Sequence, residues 1–473
     1  LKAAVGPKGS ARATTSMTST TYSEAVRYLF SLGRELASPR QARVQKFDLQ
    51  NISALTKLMH HPERRSPCVQ IAGSNGKGST AAMLESIVRA AGLRTGLYTS
   101  PHLERINERI RIDGEPISDA DFAASFDRVR QIIESAMASG ALAAHPTFFE
   151  CLTAIAFDAF AQAGVEFAVY EVGMGGRLDA TSVVIPEVAV ITQIAFDHEA
   201  YLGHSLEEIA REKAGIIKTN ATVISAVERF EARAVIAQRC EEQRARLFEL
   251  DGLWKISELR ADDGFYRIRA EWFRDNSTVN LNLALPGKFQ VRNALTAAAA
   301  AGILAERGFA IAWQAIEQGI SNVRWPGRLE RVSEHPAIYL DGAHNPAAAR
   351  ELRNFWDENF AHRRIILIYA AMRDKAVDEI AGLLFPRAAR VILTQPNQSR
   401  AISVAVLSQI ACHHAANCES AANATKAINR ALALANPDDA IFITGSLYLV
   451  GEARSVLRSA GSLPAFLRPG GAA

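Results

Sequence analysis

The sequence is poor in the features that mark membrane, nucleic-acid-binding and disulfide-stabilised proteins. It has 53 Lys and Arg against 50 Asp and Glu, so the formal net charge is only +3, too small to indicate a nucleic acid or an anionic membrane as partner. No apolar run reaches the roughly 18–20 residues of a membrane span. The five cysteines are scattered, odd in number and without CxxC spacing, which favours a reducing compartment. These absences predict a cytoplasmic protein that binds neither nucleic acid nor membrane.

The composition is otherwise that of an ordinary globular protein with more than one domain. Apolar residues make up 48% of the chain, and 473 residues are too many for a single ordinary core. Short apolar runs alternate with helical patterns, such as those over 149–163 and 206–214. This alternation predicts an α/β fold with a mostly parallel sheet covered by helices on both faces. The runs interpreted as buried strands lie at 69–72, 94–98, 167–172, 188–194 and 222–225.

Two breaks in the pattern predict where one domain ends and the next begins. Residues 247–285 include alternating polar and apolar side chains, which favours an antiparallel hairpin or meander closing the first domain. Segment 322–328 interrupts the periodicity and is predicted to be a linker. We therefore expect a first domain over 21–323 and a smaller Rossmann-like α/β domain over 324–460. That second domain would have strands at 338–340, 364–369, 390–393 and 440–444, while 1–20 would be a disordered extension or cloning remnant and 461–473 a flexible tail.

A glycine-rich turn follows the first apolar run and precedes a helical pattern. It contains Lys77, whose ammonium could lie beside the outer phosphates of a nucleotide, and backbone N–H groups that could point at phosphate. The hydroxyl of Ser79 could ligate Mg²⁺. The general P-loop pattern would have glycine in place of Ile71 and a hydroxyl directly after the lysine, where this chain has Gly78. An ordinary strand-to-helix turn remains the alternative for this segment taken alone.

Further polar residues come just after predicted strands, where α/β sheets bind their ligands. Glu171 and the glycine-rich segment 173–179 follow one strand, Asp197 and His198 follow another, and segment 99–102 follows a third. Oxygen ligands near a phosphate loop predict a Mg²⁺ site, because Mg²⁺ shares its coordination between carboxylates and phosphates. Taken singly, each residue could equally be a helix cap, a salt-bridge partner or a packed histidine.

Several motifs together resemble one family, the Mur-type ligases, and within it the folylpolyglutamate synthase/dihydrofolate synthase branch of the bifunctional bacterial type. They run in family order over most of the chain: GSNGKGS at 73–79, TSPHLERINER at 99–109, EVGMGGRLDAT at 171–181, REKAGI at 211–216, GKFQVRN at 287–293, PGRLE at 326–330, DGAHNP at 341–346 and GSLYLVGE at 445–452. The resemblance implies a P-loop Mur-ligase ATPase domain with a folate site, followed by a glutamate-ligase domain.

The resemblance also implies a reaction and roles for individual residues. ATP would phosphorylate the carboxylate of dihydropteroate or of a reduced folate, and the amine of L-glutamate would displace phosphate from the resulting acyl phosphate. By residue match, the catalytic residues would be Lys77, Lys213 and His198. Two Mg²⁺ sites are implied, with Ser79, Ser100 and Glu171 as ligands, joined at the second metal by His198 and by Lys213 as a carbamate; K⁺ is a further candidate cation. The nucleotide contacts would be Gly73, Ser74, Asn75, Gly76, Lys77, Gly78, Ser79, Thr80, Asn293 and Arg328, with Asp341 and His344 reaching it from the second domain.

For the folate, the resemblance implies contacts from Thr147, Phe149 and Asp179. Two positions depart from the family pattern, Ser182 and His204, and the first lies beside the implied pterin site. The family also implies a monomer that binds only small molecules. Two other interpretations are left open: a Mur-type ligase for a different carboxylate, and an ATP-dependent regulatory P-loop module.

Overall fold

The computed structural model describes residues 20–33 and 48–459, which form two α/β bodies, each with its own sheet. The extension predicted over 1–20 lies, apart from Thr20, outside the described residues, and so does the tail predicted over 461–473. Within the described residues, no helix is both long and apolar enough to cross a lipid bilayer.

The first body is built on an eight-stranded sheet in the order β4-β3-β2-β5-β1-β6-β7-β8. Six strands are parallel, and an antiparallel hairpin of β3 and β4 covers one edge. All five residues of the central β1 are buried, as expected for a strand with helices on both faces. The strands are β1 (Cys68–Ala72), β2 (Thr95–Tyr98), β3 (Ile110–Ile112), β4 (Glu115–Pro116), β5 (Phe167–Glu171), β6 (Val188–Ile191), β7 (Thr222–Ser225) and β8 (Arg246–Glu249).

Ten described helices belong to this body. One face of the sheet packs on α3, α9 and α10, and the other on α1, α2, α4 and α5. The run of alanines at 297–301 has no exposed surface, so α9 lies close against its neighbours. The helices are α1 (Tyr22–Ser31), α2 (Gln50–Leu58), α3 (Lys77–Ala90), α4 (Asp119–Ala138), α5 (Phe148–Ala163), α6 (Glu199–Leu202), α7 (Leu206–Lys213), α8 (Phe230–Gln243), α9 (Phe289–Glu306) and α10 (Trp313–Asn322).

An antiparallel three-stranded sheet, β9 (Trp254–Asp262), β10 (Phe265–Trp272) and β11 (Thr278–Asn282), completes the first body. It confirms the meander predicted from the alternating pattern, with one correction. Residues 247–249 belong to β8 and extend the parallel sheet, because their main chain pairs with β7.

The second body has six strands in the order β12-β13-β17-β14-β15-β16, of which only β12 is antiparallel to its neighbour. Apart from Asn322, the segment predicted to be a linker contains neither helix nor strand, since α10 ends at that residue and β12 begins at Glu330. The strands are β12 (Glu330–Glu334), β13 (Ala337–Leu340), β14 (Ile365–Tyr369), β15 (Arg390–Leu393), β16 (Cys418–Ser420) and β17 (Ala440–Thr444). The helices are α11 (Pro346–Asn359), α12 (Val377–Leu384), α13 (Val404–Ala411), α14 (Ala424–Leu434) and α15 (Leu447–Ser459).

The two bodies meet through close contacts that include the loop after β2. Arg454 of α15 donates to Glu104 at 2.8 Å and to Glu330 at 3.0 Å. A Cβ atom at Gly451 would lie 2.0 Å from the carbonyl oxygen of Leu103, so only glycine lets α15 approach this loop so closely. The contact places the carboxyl ends of both parallel sheets near each other.

Candidate active site

The glycine-rich turn connects β1 to α3 and is fixed against the neighbouring strand end. The N–H of Ser74 donates to the carbonyl oxygen of Gln193 at 2.7 Å, and its hydroxyl donates to that of Ala195 at 2.7 Å. Gly76 precedes the helix with φ +85°, and a Cβ there would lie 2.3 Å from Oδ1 of Asn293. The first-turn N–H groups of α3 have no acceptor within the helix, so this end suits a phosphate group.

Two lysines converge on one carbonyl oxygen of this turn. The Nζ atoms of Lys77 and Lys213 lie 3.0 Å and 2.8 Å from the carbonyl oxygen of Gly73. Lys213 is 3% exposed, and no carboxylate within the described ranges forms an ion pair with it. Burial, and after it the charge of Lys77, lowers the pKa of Lys213 to about 7. A large fraction of this amine is therefore neutral, and nucleophilic, near neutral pH.

The candidate metal ligands Ser79, Ser100 and Glu171 approach the same turn. The N–H of Ser100 donates to Oε2 of Glu171 at 3.1 Å, and Oε1 of Glu171 would lie 3.4 Å from a Cβ at Gly78. Burial raises the pKa of Glu171, an effect that the charge of Lys77 and the hydrogen bond from Ser100 oppose.

These oxygen donors fit Mg²⁺, which takes one or two protein carboxylates and completes its shell with phosphate and water. Over residues 20–33 and 48–459, no three His, Cys, Asp or Glu side chains form a metal cage by themselves.

A second group of charges lies where the two bodies meet. Asp197 Oδ1 accepts a hydrogen bond from Nζ of Lys375 at 2.6 Å, and its Oδ2 lies 3.6 Å from Nε2 of His344. Burial alone would raise the pKa of Asp197, but the side chain of His344 and the ammonium of Lys375 hold it well below its ordinary value. Burial lowers the pKa of His198 to about 3, so this imidazole is neutral at pH 7 and can ligate a metal.

Sequence reasoning assigned no role to Lys375 or its neighbour Asp374. The signal that located the first-domain residues, a polar side chain just after a predicted strand, was also available here, because both residues follow the strand predicted at 364–369. Their approach to Asp197 depends on how the second body is placed, which local sequence does not determine.

The nucleotide residues predicted outside the loop divide into two groups. Asn293 contacts the loop directly, and its Nδ2 donates to Gln290, which in turn donates to the Ser79 hydroxyl at 3.4 Å. Arg328 lies near the carboxylates of Asp341 and Glu171. Burial lowers the pKa of the Arg328 guanidinium, and the charges of these two carboxylates oppose that shift.

Asp341 and His344 are engaged within their own turn. The two carboxylate oxygens of Asp341 accept from the N–H groups of Leu329 and Ala343 at 3.0 and 2.9 Å. Nδ1 of His344 lies 2.7 Å from the carbonyl oxygen of Gly342, which leaves Nε2 facing Asp197. Asp341 therefore shapes the turn that orients His344.

A cavity of about 580 Å³ opens beside these groups. Its wall includes Ser100, His198 and His344, and with them the three predicted folate residues Thr147, Phe149 and Asp179. The residues of the phosphate loop do not line it, so Ser100, His198 and His344 connect the cavity to the loop region.

The three residues predicted to contact the folate differ in whether their side chains are already engaged in contacts within the protein. The hydroxyl of Thr147 accepts from the N–H of Glu150 and caps α5. Asp179 accepts from the N–H groups of Gly173, Met174 and Thr181 and from the Thr181 hydroxyl at 2.6–3.1 Å. The ring of Phe149 is partly exposed and packs against Gly173, where a Cβ would lie 2.6 Å from it.

The two positions that depart from the family pattern have different surroundings. Ser182 is buried, donates to the carbonyl oxygen of Gly176 at 2.5 Å and accepts from Gln70 at 2.9 Å. His204 is 82% exposed and lies 3.9 Å from Glu199. Ser182 therefore supports the segment behind the cavity, whereas His204 lies at the surface.

Comparison with known proteins gives consistent matches over both bodies. Residues 71–301 match the Mur ligase middle domain, and residues 327–447 match the Mur ligase glutamate ligase domain. The chain is 34% identical to the dihydrofolate synthase/folylpolyglutamate synthase of Bacillus subtilis, over 87% of this chain and 95% of that one. It is 35% identical to a bifunctional folylpolyglutamate synthase/dihydropteroate synthase of Haloferax volcanii, but spans only 50% of that relative's length.

Solved structures give the same result. A structure of Mycobacterium tuberculosis folylpolyglutamate synthase complexed with ADP and AMPPCP superposes with a TM-score of 0.81 at 34% identity, covering 91% of this chain and 98% of the other.

Proposed function

Because the chain belongs to the Mur ligase family, in its folylpolyglutamate synthase/dihydrofolate synthase branch, we propose that it couples the carboxylate of dihydropteroate or of a reduced folate to the amine of L-glutamate. It is an ATP-dependent acid–amino-acid ligase that uses a divalent metal. The observation that carries the proposal is the convergence of Lys77 and Lys213 on the Gly73 carbonyl oxygen, with Glu171 and Ser100 beside them.

In the proposed reaction, a carboxylate oxygen of the acceptor attacks the γ-phosphorus of ATP and ADP leaves. The neutral amine of glutamate then attacks the acyl carbon, forming the amide C–N bond as the C–O bond to phosphate breaks, and the proton that the nitrogen loses passes to the departing phosphate. Phosphoryl transfer of this kind depends on alignment and charge neutralisation. Lys77 and the first-turn N–H groups of α3 supply that neutralisation for the outer phosphates. Asn293 and Arg328 would orient the nucleotide around the loop.

Two Mg²⁺ sites complete the proposal. Ser79, Ser100 and Glu171 would hold the first, and His198 and carbamylated Lys213 would contribute to the second. The metal ions would neutralise phosphate charge. No residue set is assigned to K⁺.

The surroundings of Lys213 support its carbamylation. The neutral amine reacts with CO₂ to give R–NH–COO⁻ and a proton, which turns a buried cation into an anion. The lowered pKa keeps the amine reactive, and the adjacent ammonium of Lys77 would pair with the new charge at the Gly73 turn.

The cavity would receive the folate-like acceptor. Its volume of about 580 Å³ falls in the range of roughly 300–1,000 Å³ for small-molecule sites. The exposed face of Phe149 would stack on the pterin. Since Asp179 and Thr147 are engaged in holding their own segments, we assign them to shaping the pocket as well as to contact with the acceptor.

In the proposal, the two bodies bind different substrates. Residues 21–323 would bind ATP and the acceptor, and residues 324–460 would bring in glutamate, with His344 meeting Asp197 at the junction. We propose that the protein acts in the cytoplasm as a monomer on small molecules alone.

Glutamate-dependent ADP release tests this function. Purified protein with Mg²⁺ and ATP should release ADP when glutamate is added with dihydropteroate or with a reduced monoglutamyl folate, and mass spectrometry should find the acceptor heavier by one glutamyl residue. Turnover with both acceptors would establish both activities, and turnover with one would assign the substrate. Turnover with a different carboxylate and neither of these would replace the proposal with another Mur-type ligase, and ATP hydrolysis indifferent to any amino acid would favour a regulatory module.

A further inference from the structure

A glycine directly follows the loop lysine, at the position where the general P-loop pattern has a hydroxyl. Gly78 is buried in the first turn of α3, and glycine is a poor helix former, so its presence there calls for a packing reason. A Cβ at Gly78 would lie 3.2 Å from Nε1 and 3.3 Å from Cζ2 of Trp325, and 3.4 Å from Oε1 of Glu171. These distances are shorter than the roughly 3.5–4.0 Å of an optimal carbon contact. The indole and the carboxylate therefore already occupy the space of a side chain.

Trp325 belongs to the segment between α10 and β12, yet its ring packs against the core of the first body. The guanidinium of Arg111, in β3, lies over the ring with its Cζ 5.5 Å from the centroid, which is within the range of a cation–π contact. Nη1 of Arg111 donates to the carbonyl oxygen of Gly114 at 3.0 Å, so the guanidinium is fixed in the β3–β4 hairpin. The hairpin thus holds the indole by its face, while the edge that carries Nε1 and Cζ2 meets the phosphate loop.

We propose that Trp325 is a positioning residue for the nucleotide and metal site. Its edge fills the space beside Gly78 and so fixes the first turn of α3, in which Lys77 and Ser79 flank that glycine. With the indole in place, no side chain fits directly after the lysine, and Ser79 becomes the residue that offers a hydroxyl to Mg²⁺. This assignment rests on the proposed role of the loop in binding ATP and Mg²⁺.

Loss of the indole would leave a void beside two groups of this site. Gly78 has no side chain with which to fill the void. Glu171 would gain room to move away from the N–H of Ser100, to which it now accepts a hydrogen bond at 3.1 Å. Trp325 is not among the residues that line the cavity proposed for the acceptor, so its removal should weaken the binding of nucleotide and metal selectively.

Trp325→Leu, Gly78→Ala and the double variant test the proposal through the affinity for ADP with Mg²⁺, measured by calorimetry without acceptor or glutamate. Each single change should weaken ADP binding at least about fivefold and raise the Mg²⁺ concentration needed for half-maximal binding. The double variant should bind ADP within about twofold of Trp325→Leu, because the alanine methyl then has room. In turnover assays, KM for ATP should rise in the single variants while KM for dihydropteroate stays within about twofold.

Gly302→Ala and Trp313→Leu are the matched controls. Gly302, in α9, has the same clearance as the loop glycine, since a Cβ there would lie 3.3 Å from the rings of Trp272 and Trp313. Trp313 is half-buried and packs, like Trp325, against the core of the first body. Both control variants should unfold at a lower temperature, and their affinity for ADP should stay within about twofold of the parent.

Three outcomes would overturn the proposal. Unchanged ADP affinity in folded Trp325→Leu, or in Gly78→Ala where the leucine variant does not fold, would remove the indole from the site. Fold-changes that simply multiply in the double variant would show that Gly78 and Trp325 act independently. Equal losses of ADP affinity in the control variants would mean that the tryptophan only stabilises the first body. Absence of glutamate-dependent turnover with either acceptor is a separate result, because it overturns the proposed acceptors and leaves the ADP-binding test intact.

Discussion

Nζ of Lys375 lies 2.6 Å from Oδ1 of Asp197, and this ion pair joins the strand-end loop of one sheet to that of the other. Nδ2 of Asn345 donates to Oδ1 of Asn75 at 2.8 Å in the same region. The phosphate loop is thus in direct contact with the second body, and the site needs both bodies together. Closure that completes a site in this way also excludes water from a reactive acyl phosphate.

Replacing Lys375 by Met should weaken closure. The change leaves Asp197 buried and without its ammonium partner, a loss typically of about 2–5 kcal/mol at a buried pair. We expect kcat/KM to fall at least about tenfold and small-angle scattering to show a larger radius of gyration. In a double-mutant cycle, adding Asp197→Asn should restore part of the loss. Fully additive effects would show that the pair does not couple the two bodies.

Gly451→Ala should also open the junction, by steric overlap. The new Cβ would lie 2.0 Å from the carbonyl oxygen of Leu103, and backbone atoms cannot move aside cheaply. Glutamate-dependent ADP release should fall steeply, whereas limited proteolysis should still yield two resistant fragments. Gly252→Ala is a suitable control because a Cβ there meets nothing within 4 Å. Equal activity of the two variants would contradict a close docking of α15 on the loop.

Lys77→Ala should remove nearly all turnover. Its ammonium is the cation of the phosphate loop, and deleting one group that stabilises developing charge typically costs about 10²–10³-fold in kcat. Steady-state ADP release measures the loss, with thermal unfolding to check that the chain still folds. Activity near that of the parent would remove the loop lysine from the chemistry.

Lys213→Ala should be nearly inactive and should recover partly when acetate or a similar short carboxylic acid is added. The acid would replace the carbamate beside the second metal. The same acid should give Lys77→Ala no recovery, because that variant lacks a cation rather than an anion. Full activity of Lys213→Ala without any added acid would contradict the carbamate.

Carbamylation of Lys213 should rise with pH through about 7. CO₂ reacts only with the neutral amine, and the reaction releases a proton. Acid therefore opposes carbamylation in two ways, by protonating the amine and by driving the reaction backwards. With the pKa lowered to about 7, about nine tenths of the amine is neutral at pH 8, against roughly one part in several hundred for an ordinary lysine. A ¹³C carbamate signal from labelled CO₂ should appear between pH 6 and 8 and be missing from Lys213→Ala. A signal whose midpoint lay near pH 10 would contradict the lowered pKa.

The sequence predicted the parts of the fold that depend on strong local patterns. Buried parallel strands such as β1 and β5 are continuous apolar runs, so their positions were confirmed to within one or two residues. The edge strands β4, β12 and β16 and the neighbouring strand β3 were not predicted, because two to five residues with mixed polarity carry no clear periodic signal. For the same reason β8 was assigned to the meander rather than to the parallel sheet.

The first-body side of the candidate site was predictable from strand ends, whereas the second-body side was predictable only where a motif resembled the family. Lys77, Glu171 and His198 follow strands of one sheet, and the rule that ligands bind at carboxyl ends of strands brings them together. Asp374 and Lys375 follow a strand of the other sheet, and their approach to His198 depends on the packing of α15 against the loop after β2. The nucleotide contact of Asp341 stays a prediction from its motif, and in the structure its oxygens accept hydrogen bonds within the turn that orients His344.

Transfer of an oxygen isotope tests the central claim, which is activation of the acceptor as an acyl phosphate. Dihydropteroate labelled with ¹⁸O in its carboxylate is incubated with ATP, Mg²⁺, glutamate and the protein, and the inorganic phosphate is examined by mass spectrometry. We expect one ¹⁸O atom in each phosphate released, because the carboxylate oxygen that attacks ATP leaves with the phosphoryl group. Amide product accompanied by unlabelled phosphate would contradict the account.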